Sequence, residues 1–220
     1  MATQATRHCE GSASGRPVTG EAPNGGVPNL VLLIHGLDDT EAVFHRLRAD
    51  LQRQGWTVHC LNLVPNNGDA GLDVLARQIV QYVESNVEAE QCIDLVGFSM
   101  GGLVARYYIQ RLGGMQRVRR LITISSPHNG TWNAFLRGNE GARQMRPGSG
   151  FLRDLNRDAE MLDCLDFTSI WTPFDLMILP ARSSVMPVGR AVRVNVAAHP
   201  LMVRNSRVLR LVRDGLSADR

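Results

Sequence analysis

The sequence predicts an α/β protein whose mostly parallel sheet carries helices on both faces. Short apolar runs that suit buried strands alternate with segments in which apolar residues recur every three to four positions, as on one face of a helix. Strands that alternate with helices in this way pair in parallel and leave the helices on the two faces of the sheet. A chain of 220 residues, 44% of them hydrophobic, is long enough for one such domain with a substantial core.

The first 28 residues differ in composition from the rest of the chain. They are rich in Gly, Ser, Thr, Ala and Pro without a hydrophobic period, which predicts a flexible leader over residues 1–28 and an ordered domain over residues 29–220. These residues lack the apolar stretch typical of a secretory signal, and no later run is long enough to span a bilayer. We therefore expect a cytoplasmic monomer without an integral membrane segment.

Strands and helices alternate from residue 30 onward. Continuous apolar runs predict strands over residues 30–34, 57–63, 118–124, 167–171 and 191–197, together with one that begins at Ile93. Helical spacing predicts helices from a cap at Asp39 or Thr40 to about residue 54, over 72–86, after Ser99, and over 202–214.

Two segments give expectations about exposure and about a cap that the structure can test. In the helix after Ser99, the apolar period predicts that Arg106 and Gln110 point outward. Residues 132–166 are the least regular part of the chain. They could form a partial cap over a site, or a packed helix pair that belongs to the fold.

The turn after the strand at Ile93 carries the strongest chemical signal. Residues 97–101, Gly-Phe-Ser-Met-Gly, match G-x-S-x-G, the pattern of a serine held on a strained strand-to-helix turn. Gly97 and Gly101 give the chain room to double back, and Gly102 allows the helix to approach the sheet. The spacing therefore predicts Ser99 as a nucleophile at the positive end of a helix.

A seryl hydroxyl needs a base, and loops at the carboxyl ends of parallel strands offer the candidates. His199 follows the last predicted strand, in a loop that can lean over Ser99. His128 lies at the same edge but follows a proline in a tight loop, which favours a structural hydrogen bond. The remaining histidines lie in the leader, in a helix, within a strand or directly after one: His8, His45, His59 and His35.

The base needs an orienting acid, and the oxyanion needs two N–H donors. Asp175 follows the strand 167–171 and a short turn, with helix capping as the alternative role. Asp163 and Asp166 compete, but they precede that strand.

The predicted oxyanion donors are the backbone N–H groups of Met100 and Leu37. The adjoining residues are expected to line the substrate site: His35, Gly36, Phe98 and His128. For His35 the alternative is a ring that donates to a loop carbonyl.

Together these motifs resemble the serine lipases and esterases of the α/β-hydrolase superfamily. The matching pieces are residues 33–37, 96–102, 168–180 and 199–201, which are similar to the small bacterial triacylglycerol lipases, and 126–131, which resemble the larger bacterial true lipases. The resemblance implies an α/β-hydrolase fold with Ser99 as nucleophile, Asp175 as acid and His199 as base. The larger lipases bind calcium through carboxylates near the histidine. Here the neighbours of that histidine are Ala197, Ala198 and Pro200, so no calcium is expected. We also expect no other metal and no cofactor.

These observations predict a serine hydrolase that cleaves carboxylic esters, of lipid or acyl type, through an acyl-enzyme on Ser99. The same triad also serves thioesterases, amidases and acyltransferases, so these remain alternatives. A non-catalytic binding module is a further alternative, although it would not need to retain all three residues.

Charge and cysteine content limit the partners and chemistry. All 24 basic residues are arginines and they are scattered, with a net charge of only +3, so nucleic acid is not an expected partner. The four cysteines, at positions 9, 60, 92 and 164, fit no metal or redox motif. Cys60 and Cys92 adjoin apolar strands and suit buried free thiols, although spacing leaves disulfides open.

Overall fold

A computed structural model describes residues 30–218, so the predicted leader lies outside the described residues. Its centre is a sheet of six parallel strands in the order β2-β1-β3-β4-β5-β6, and the predicted α/β-hydrolase fold is confirmed. The strands are β1 (Leu30–Ile34), β2 (Thr57–Leu61), β3 (Ile93–Phe98), β4 (Val118–Ile124), β5 (Asp166–Trp171) and β6 (Arg190–Arg193).

Helices cover both faces of this sheet because successive strand residues point to opposite sides. In β1, Leu32 packs with the cluster that includes Leu75 of α2 and Leu103 of α3, whereas Leu33 packs on the other side with Leu47 of α1 and Val208 of α6. The helices are α1 (His45–Arg53), α2 (Leu72–Asn86), α3 (Met100–Arg111), α4 (Glu140–Gln144), α5 (Gly150–Arg157) and α6 (Ser206–Ser217).

Two strands end earlier than the apolar pattern predicts, and the neighbouring strand explains both. β2 stops at Leu61, which pairs with Ile34, the last residue of β1. β6 stops at Arg193, which pairs with Trp171, the last residue of β5. A strand is defined by its ladder, so apolar residues beyond the partner's end no longer belong to it.

The closing helix begins later than its periodicity predicts. Residues His199–Arg204 form a 3-10 turn, and α6 begins only after Asn205. The Asn205 Oδ1 atom accepts hydrogen bonds from the N–H groups of Arg207 and Val208 at 3.0 and 3.3 Å. Asparagine is a strong N-cap residue, so this side chain sets the start of the helix.

The segment 132–166 forms two 3-10 turns, Trp132–Leu136 and Ala159–Cys164, that flank α4 and α5. Leu152 and Leu155 of α5 and Leu162 of the second turn are buried in the core, while the first turn is largely exposed. The role of the segment as a partial cap remains a prediction.

The prediction for Arg106 and Gln110 is wrong, because both are buried between α3 and α5. Arg106 Nη2 and Gln110 Nε2 both donate to the carbonyl oxygen of Leu155, at 3.1 and 2.8 Å. The two polar side chains thus donate hydrogen bonds to a backbone carbonyl near the C-terminal end of α5, which packs over them.

Three further findings concern the described residues alone. None of the helices in residues 30–218 is long and apolar enough to cross a membrane. The same residues contain no group of three or more His, Cys, Asp or Glu side chains arranged to hold a metal ion. Cys60 is a half-buried free thiol, whereas Cys92 is disulfide-bonded, so the free-thiol interpretation is wrong for Cys92.

Candidate active site

Ser99 occupies a strained turn at the carboxyl end of β3, directly before α3. Its backbone angles are φ 53° and ψ −123°, a combination that few residues with a side chain adopt. The Ser99 N–H donates to the carbonyl oxygen of Ile124 at 2.9 Å, and its own carbonyl accepts from Gly102 at 3.2 Å. The turn is thereby fixed to β4 on one side and to the helix on the other.

Glycines surround this turn because no side chain fits there. A Cβ on Gly97 would lie 2.5 Å from the Gly102 Cα atom, and one on Gly101 would overlap the backbone of Ile34. A Cβ on Gly102 would overlap Ser126 Oγ. The tight approach of α3 to β1, β3 and β4 therefore depends on the glycines that the motif supplies.

Asp175 and His199 meet across the loops that follow β5 and β6. The Nδ1 atom of His199 lies 2.7 Å from Asp175 Oδ2, and both side chains are buried, with 8% and 3% of each residue exposed. A carboxylate accepts this hydrogen bond only from a protonated Nδ1, so the Nε2 atom of the neutral ring is left as an acceptor.

Three neighbours, the His199 ring and two backbone N–H groups, stabilise the ionised form of Asp175. Its Oδ1 atom accepts from the backbone N–H groups of Met177 and Ile178, each at 2.9 Å. Burial by itself raises the pKa of this carboxyl, but the hydrogen bond and charge of His199, with the two N–H groups, outweigh burial and hold the pKa below its usual value. Asp175 therefore stays ionised at neutral pH.

The imidazole of His199 lies beside the serine turn. Its ring packs on Phe98, the residue before Ser99, with ring centroids 4.8 Å apart. Phe98 is 1% exposed, so it packs against the His199 ring and does not line an open substrate space, although the sequence predicts that it would.

The sequence predicts that His35 lines the substrate site, but both of its ring nitrogens are engaged within the protein. The Nε2 atom accepts from the Leu63 N–H at 2.9 Å, so Nδ1 carries the proton and donates to the Gly36 carbonyl at 2.8 Å. The ring is fully buried. The structure therefore favours the alternative role for His35, which is to hold the loop after β1.

His128 is likewise occupied. Arg106 Nη1 donates to its Nδ1 atom at 3.5 Å, and its Nε2 atom lies 2.9 Å from Thr123 Oγ1. Burial, together with the charge of Arg106, lowers the pKa of His128 well below its usual value. A buried neutral ring with both nitrogens engaged has a structural role, so substrate contact by His128 is not supported.

The two expected N–H donors belong to residues at the serine turn and in the loop after β1. Met100 begins α3, where the first N–H groups have no acceptor within the helix. Leu37 follows Gly36, and a Cβ at Gly36 would lie 3.0 Å from the Ser99 Cβ atom. The loop after β1 therefore passes directly over the serine, and only a glycine leaves the approach open.

Two polar residues near the site escaped the sequence analysis. Thr172 joins the acid and base loops, since its Oγ1 atom donates to the Val196 carbonyl at 2.7 Å and accepts from Phe174 N–H at 3.3 Å. Its position directly after β5 was the available signal. Asp39 lies beside Gly36, whereas the sequence pattern predicts only a helix-capping role for it.

Exposed apolar side chains surround the same edge of the sheet, and we call them the apolar rim. Asn133 Nδ2 donates to the Leu176 carbonyl at 2.7 Å, and Trp132 N–H donates to that of Leu179 at 2.8 Å, which ties the loop after β4 to the loop after β5. Surfaces of this kind commonly mark binding sites for apolar ligands. The rim consists of Trp132, Phe135, Leu136, Phe174, Leu176, Met177 and Leu201, which are 46–83% exposed.

A family model and two curated sequences are similar to part of this chain. A family model described as palmitoyl protein thioesterase matches residues 30–145. Curated triacylglycerol lipases from Pseudarthrobacter phenanthrenivorans and Burkholderia plantarii are each 31% identical to this chain over 109 residues, 46% of its length. These alignments cover 34% and 30% of the two lipases, so the match spans about a third of each relative.

Solved structures extend the likeness to most of the chain. Aspergillus fumigatus lipase B matches with a TM-score of 0.74 at 19% identity, over 87% of this chain and 53% of the other. The mature form of Bacillus licheniformis lipase BlEst2 matches with a TM-score of 0.68 at 16% identity, over 90% and 95%. At such low identity these matches show the fold alone.

Proposed function

The chain belongs to the palmitoyl protein thioesterase family, within the α/β-hydrolase superfamily, and from this premise we propose that it is a serine hydrolase that cleaves carboxylic esters of acyl or lipid type. The observation that carries the proposal is the 2.7 Å contact between His199 Nδ1 and Asp175 Oδ2, formed beside a strained serine turn. An acid, a base and a nucleophile with these neighbours form the arrangement that acyl transfer requires.

In the first half of the reaction, Ser99 Oγ adds to the ester carbonyl carbon while its proton passes to His199 Nε2. Asp175 keeps the His199 Nδ1 atom protonated and stabilises the imidazolium that forms. The carbon–oxygen bond to the alcohol then breaks, and the same proton moves from His199 to the leaving oxygen. The alcohol departs and the acyl group stays on Ser99.

The negative charge of the tetrahedral intermediate rests on the former carbonyl oxygen. The N–H groups of Met100 and Leu37 donate to this oxygen, and the positive end of the α3 dipole adds to the stabilisation. Fixed donors of this kind are worth most in a site with little water. The His35 ring supports one of them by bonding both the Gly36 carbonyl and Leu63.

Water completes the cycle in the second half. His199 takes a proton from the water as its oxygen attacks the acyl carbon, and then returns that proton to Ser99 Oγ as the acid is released. Proton and bond balances therefore close with ester and water as the reactants.

The apolar rim favours a substrate whose acyl chain contributes most of the binding affinity. Trp132 and Phe135 stack with ring centroids 5.5 Å apart, and the Arg146 guanidinium lies 4.8 Å from the Phe135 centroid. These contacts hold large apolar surfaces in place while leaving them accessible to a ligand. The exposed side chains of the rim are apolar, which favours an uncharged acyl chain.

A thioester is the second candidate substrate, and the family match favours it. The same proton transfers serve a thiol leaving group, so the fold does not separate the two reactions. Rates on an oxygen ester and a thioester of the same acyl group, measured side by side, separate them.

Replacement of Ser99 tests the proposal. We expect Ser99→Ala to abolish turnover of p-nitrophenyl butyrate and labelling by a fluorophosphonate, with an unchanged circular dichroism spectrum. Ser206→Ala is the matched control, since Ser206 is exposed at the start of α6, and it should keep both properties. Full activity in the Ser99 variant would overturn the assignment, and a wild-type protein that neither labels nor turns over any acyl substrate would favour a binding module.

A further inference from the structure

A carboxylate lies beside the serine, and the reaction described above makes no use of it. Asp39 is half-buried in the loop after β1. Its Oδ2 atom and the Ser99 Cβ atom lie 3.1 and 3.0 Å from one point, the position that a Cβ on Gly36 would occupy. The carboxylate and the nucleophile therefore border the same small space above Gly36.

The backbone of Asp39 is fixed, but its side chain is open to a ligand. The Asp39 N–H donates to the Gly36 carbonyl at 3.4 Å, and its carbonyl accepts from Asn66 Nδ2 at 2.7 Å. Within residues 30–218 the carboxylate itself has neither a hydrogen bond nor an ion pair. The neighbouring Asp38 differs, because it forms an ion pair with Arg137.

The carboxylate also interacts electrostatically with the base. Burial raises the pKa of Asp39, and electrostatic interaction with His35 and His199 offsets part of this effect. In ester cleavage, His199 delivers its proton to the leaving oxygen, so the alcohol portion must lie next to the His199 ring. A carboxylate that borders Ser99 and interacts electrostatically with His199 is therefore placed to act on the alcohol portion of the substrate.

We propose that Asp39 selects the leaving group, accepting a hydrogen bond from a hydroxyl of a neutral polyol alcohol and repelling anionic alcohols. This inference rests on the proposed ester hydrolysis. The preferred substrate class is an ester that keeps a free hydroxyl next to the scissile bond, as in a partial glyceride.

Two physical reasons set the direction of this preference. A partly desolvated carboxylate without a partner is unfavourable, and an O–H donor from the substrate removes that cost with a charge-assisted bond. A negative charge on the alcohol would meet the carboxylate in the same desolvated space, where repulsion is stronger than in water. A plain alkyl alcohol brings neither effect.

Three soluble butyrate esters test the proposal: glycerol monobutyrate, ethyl butyrate and O-butyryl glycolate. We expect the wild-type ratio of kcat/KM for the glycerol ester over the ethyl ester to fall about tenfold in Asp39→Ala, the loss of one charge-assisted hydrogen bond. The ratio for the glycolate ester over the ethyl ester should rise in the same variant. Asp39→Asn, which keeps an acceptor but removes the charge, should restore part of the first ratio and none of the second.

Asp38→Asn is the matched control. It removes the same charge at the neighbouring position, where the carboxylate is paired with Arg137, and both ratios should stay at the wild-type values. Ratios that are equal in wild type and Asp39→Ala would overturn the proposal while ester hydrolysis stands. Failure of wild type to cleave ethyl butyrate and every other acyl ester would instead overturn the proposed function. A structural effect of Asp39 alone would lower all three rates together and leave both ratios unchanged, which also contradicts the proposal.

Discussion

The Arg106 guanidinium donates to the carbonyl oxygen of Leu155 at 3.1 Å, and this bond ties α3 to α5 behind the serine turn. The side chain is fully buried, and no carboxylate in residues 30–218 pairs with it. Burial, with a contribution from Arg111, lowers its pKa to about 9. Its N–H groups donate hydrogen bonds to neutral acceptors, among them Gln110 Oε1 at 3.1 Å and Asn156 Oδ1 at 3.0 Å.

Arg106→Met should therefore destabilise the protein, although it removes a buried cation. The change relieves the cost of desolvating the charge but leaves several buried acceptors short of donors, at about 1–3 kcal/mol each. We expect the free energy of unfolding in urea to fall by about 2–3 kcal/mol. Arg153→Met, at an exposed position of α5, should change it by less than about 0.5 kcal/mol. Equal stability of the Arg106 variant and wild type would mean that the relieved cost of desolvating the charge cancels the loss of the hydrogen bonds.

The contact between Gly102 and Ser126 gives a second prediction, on the packing of the serine turn. In Gly102→Ala the new Cβ would lie 2.8 Å from Ser126 Cβ and 3.0 Å from Thr123 Cγ2, which costs about 1–3 kcal/mol of stability. Ser126→Gly removes the side chain that is struck, so the double variant should recover part of this loss. A double-mutant cycle of unfolding free energies measures the coupling.

Gly150→Ala is the matched control for that cycle, because the nearest atom to its new Cβ is Arg153 Nη2 at 4.0 Å. It should be neutral or slightly stabilising, since Gly150 begins α5 and alanine is the better helix former. Strictly additive effects at Gly102 and Ser126 would contradict the packing described here.

The sequence reveals those parts of the fold and site that depend on local chemistry. Six strands and the serine turn follow from apolar runs and from G-x-S-x-G, because the residues that form them are neighbours in the chain. The ends of β2 and β6 could not be predicted in this way. Each depends on where a neighbouring strand stops, which is not written in its own residues.

Arg106 shows a second limit. Helical periodicity marks apolar positions as buried and assumes that charged positions face water. The irregular segment with α5 covers this face of α3, so a guanidinium becomes buried where α5 supplies acceptors. Asp39 shows the same limit at the site, since its relation to Ser99 arises only when the loops after β1 and β3 meet over Gly36.

Asp175→Asn tests the orienting acid of the proposed mechanism. An amide can still accept from Met177 and Ile178, but its NH2 group would face His199 Nδ1 and force the proton to Nε2. The ring could then no longer take the Ser99 proton. We expect kcat for ester hydrolysis to fall roughly 10⁴-fold, the size of loss seen when such a carboxylate becomes an amide, with an unchanged circular dichroism spectrum.

The competing acid of the sequence analysis supplies the control for that experiment. Asp163 Oδ1 accepts from Gly189 N–H at 3.1 Å, before β5 and thus at the opposite end of the strand from Asp175. Asp163→Asn keeps this acceptor and should retain wild-type activity. A loss in the Asp163 variant with full activity in the Asp175 variant would reverse the assignment.

The lowered pKa of buried His128 predicts how stability depends on pH. Below the ordinary value of 6.5 the unfolded chain protonates this residue, whereas the folded protein keeps the ring neutral. The unfolded state then binds more protons, so stability falls as the pH drops through this range, by up to about 1.4 kcal/mol per pH unit from this residue. The contribution is fully present above pH 6.5 and is lost on acidification.

His128→Gln removes the titrating group while leaving an amide that can still donate to Thr123 Oγ1. The variant should be less stable than wild type at about pH 8, but its unfolding free energy should decline less steeply toward about pH 5. Urea titrations of both proteins across this range measure the two slopes. Other groups with shifted pKa values, such as Asp39 and Asp94, are common to both proteins, so the difference between the slopes reports His128. Parallel slopes would mean that the folded protein accepts a proton on this ring, which its burial against Arg106 argues against.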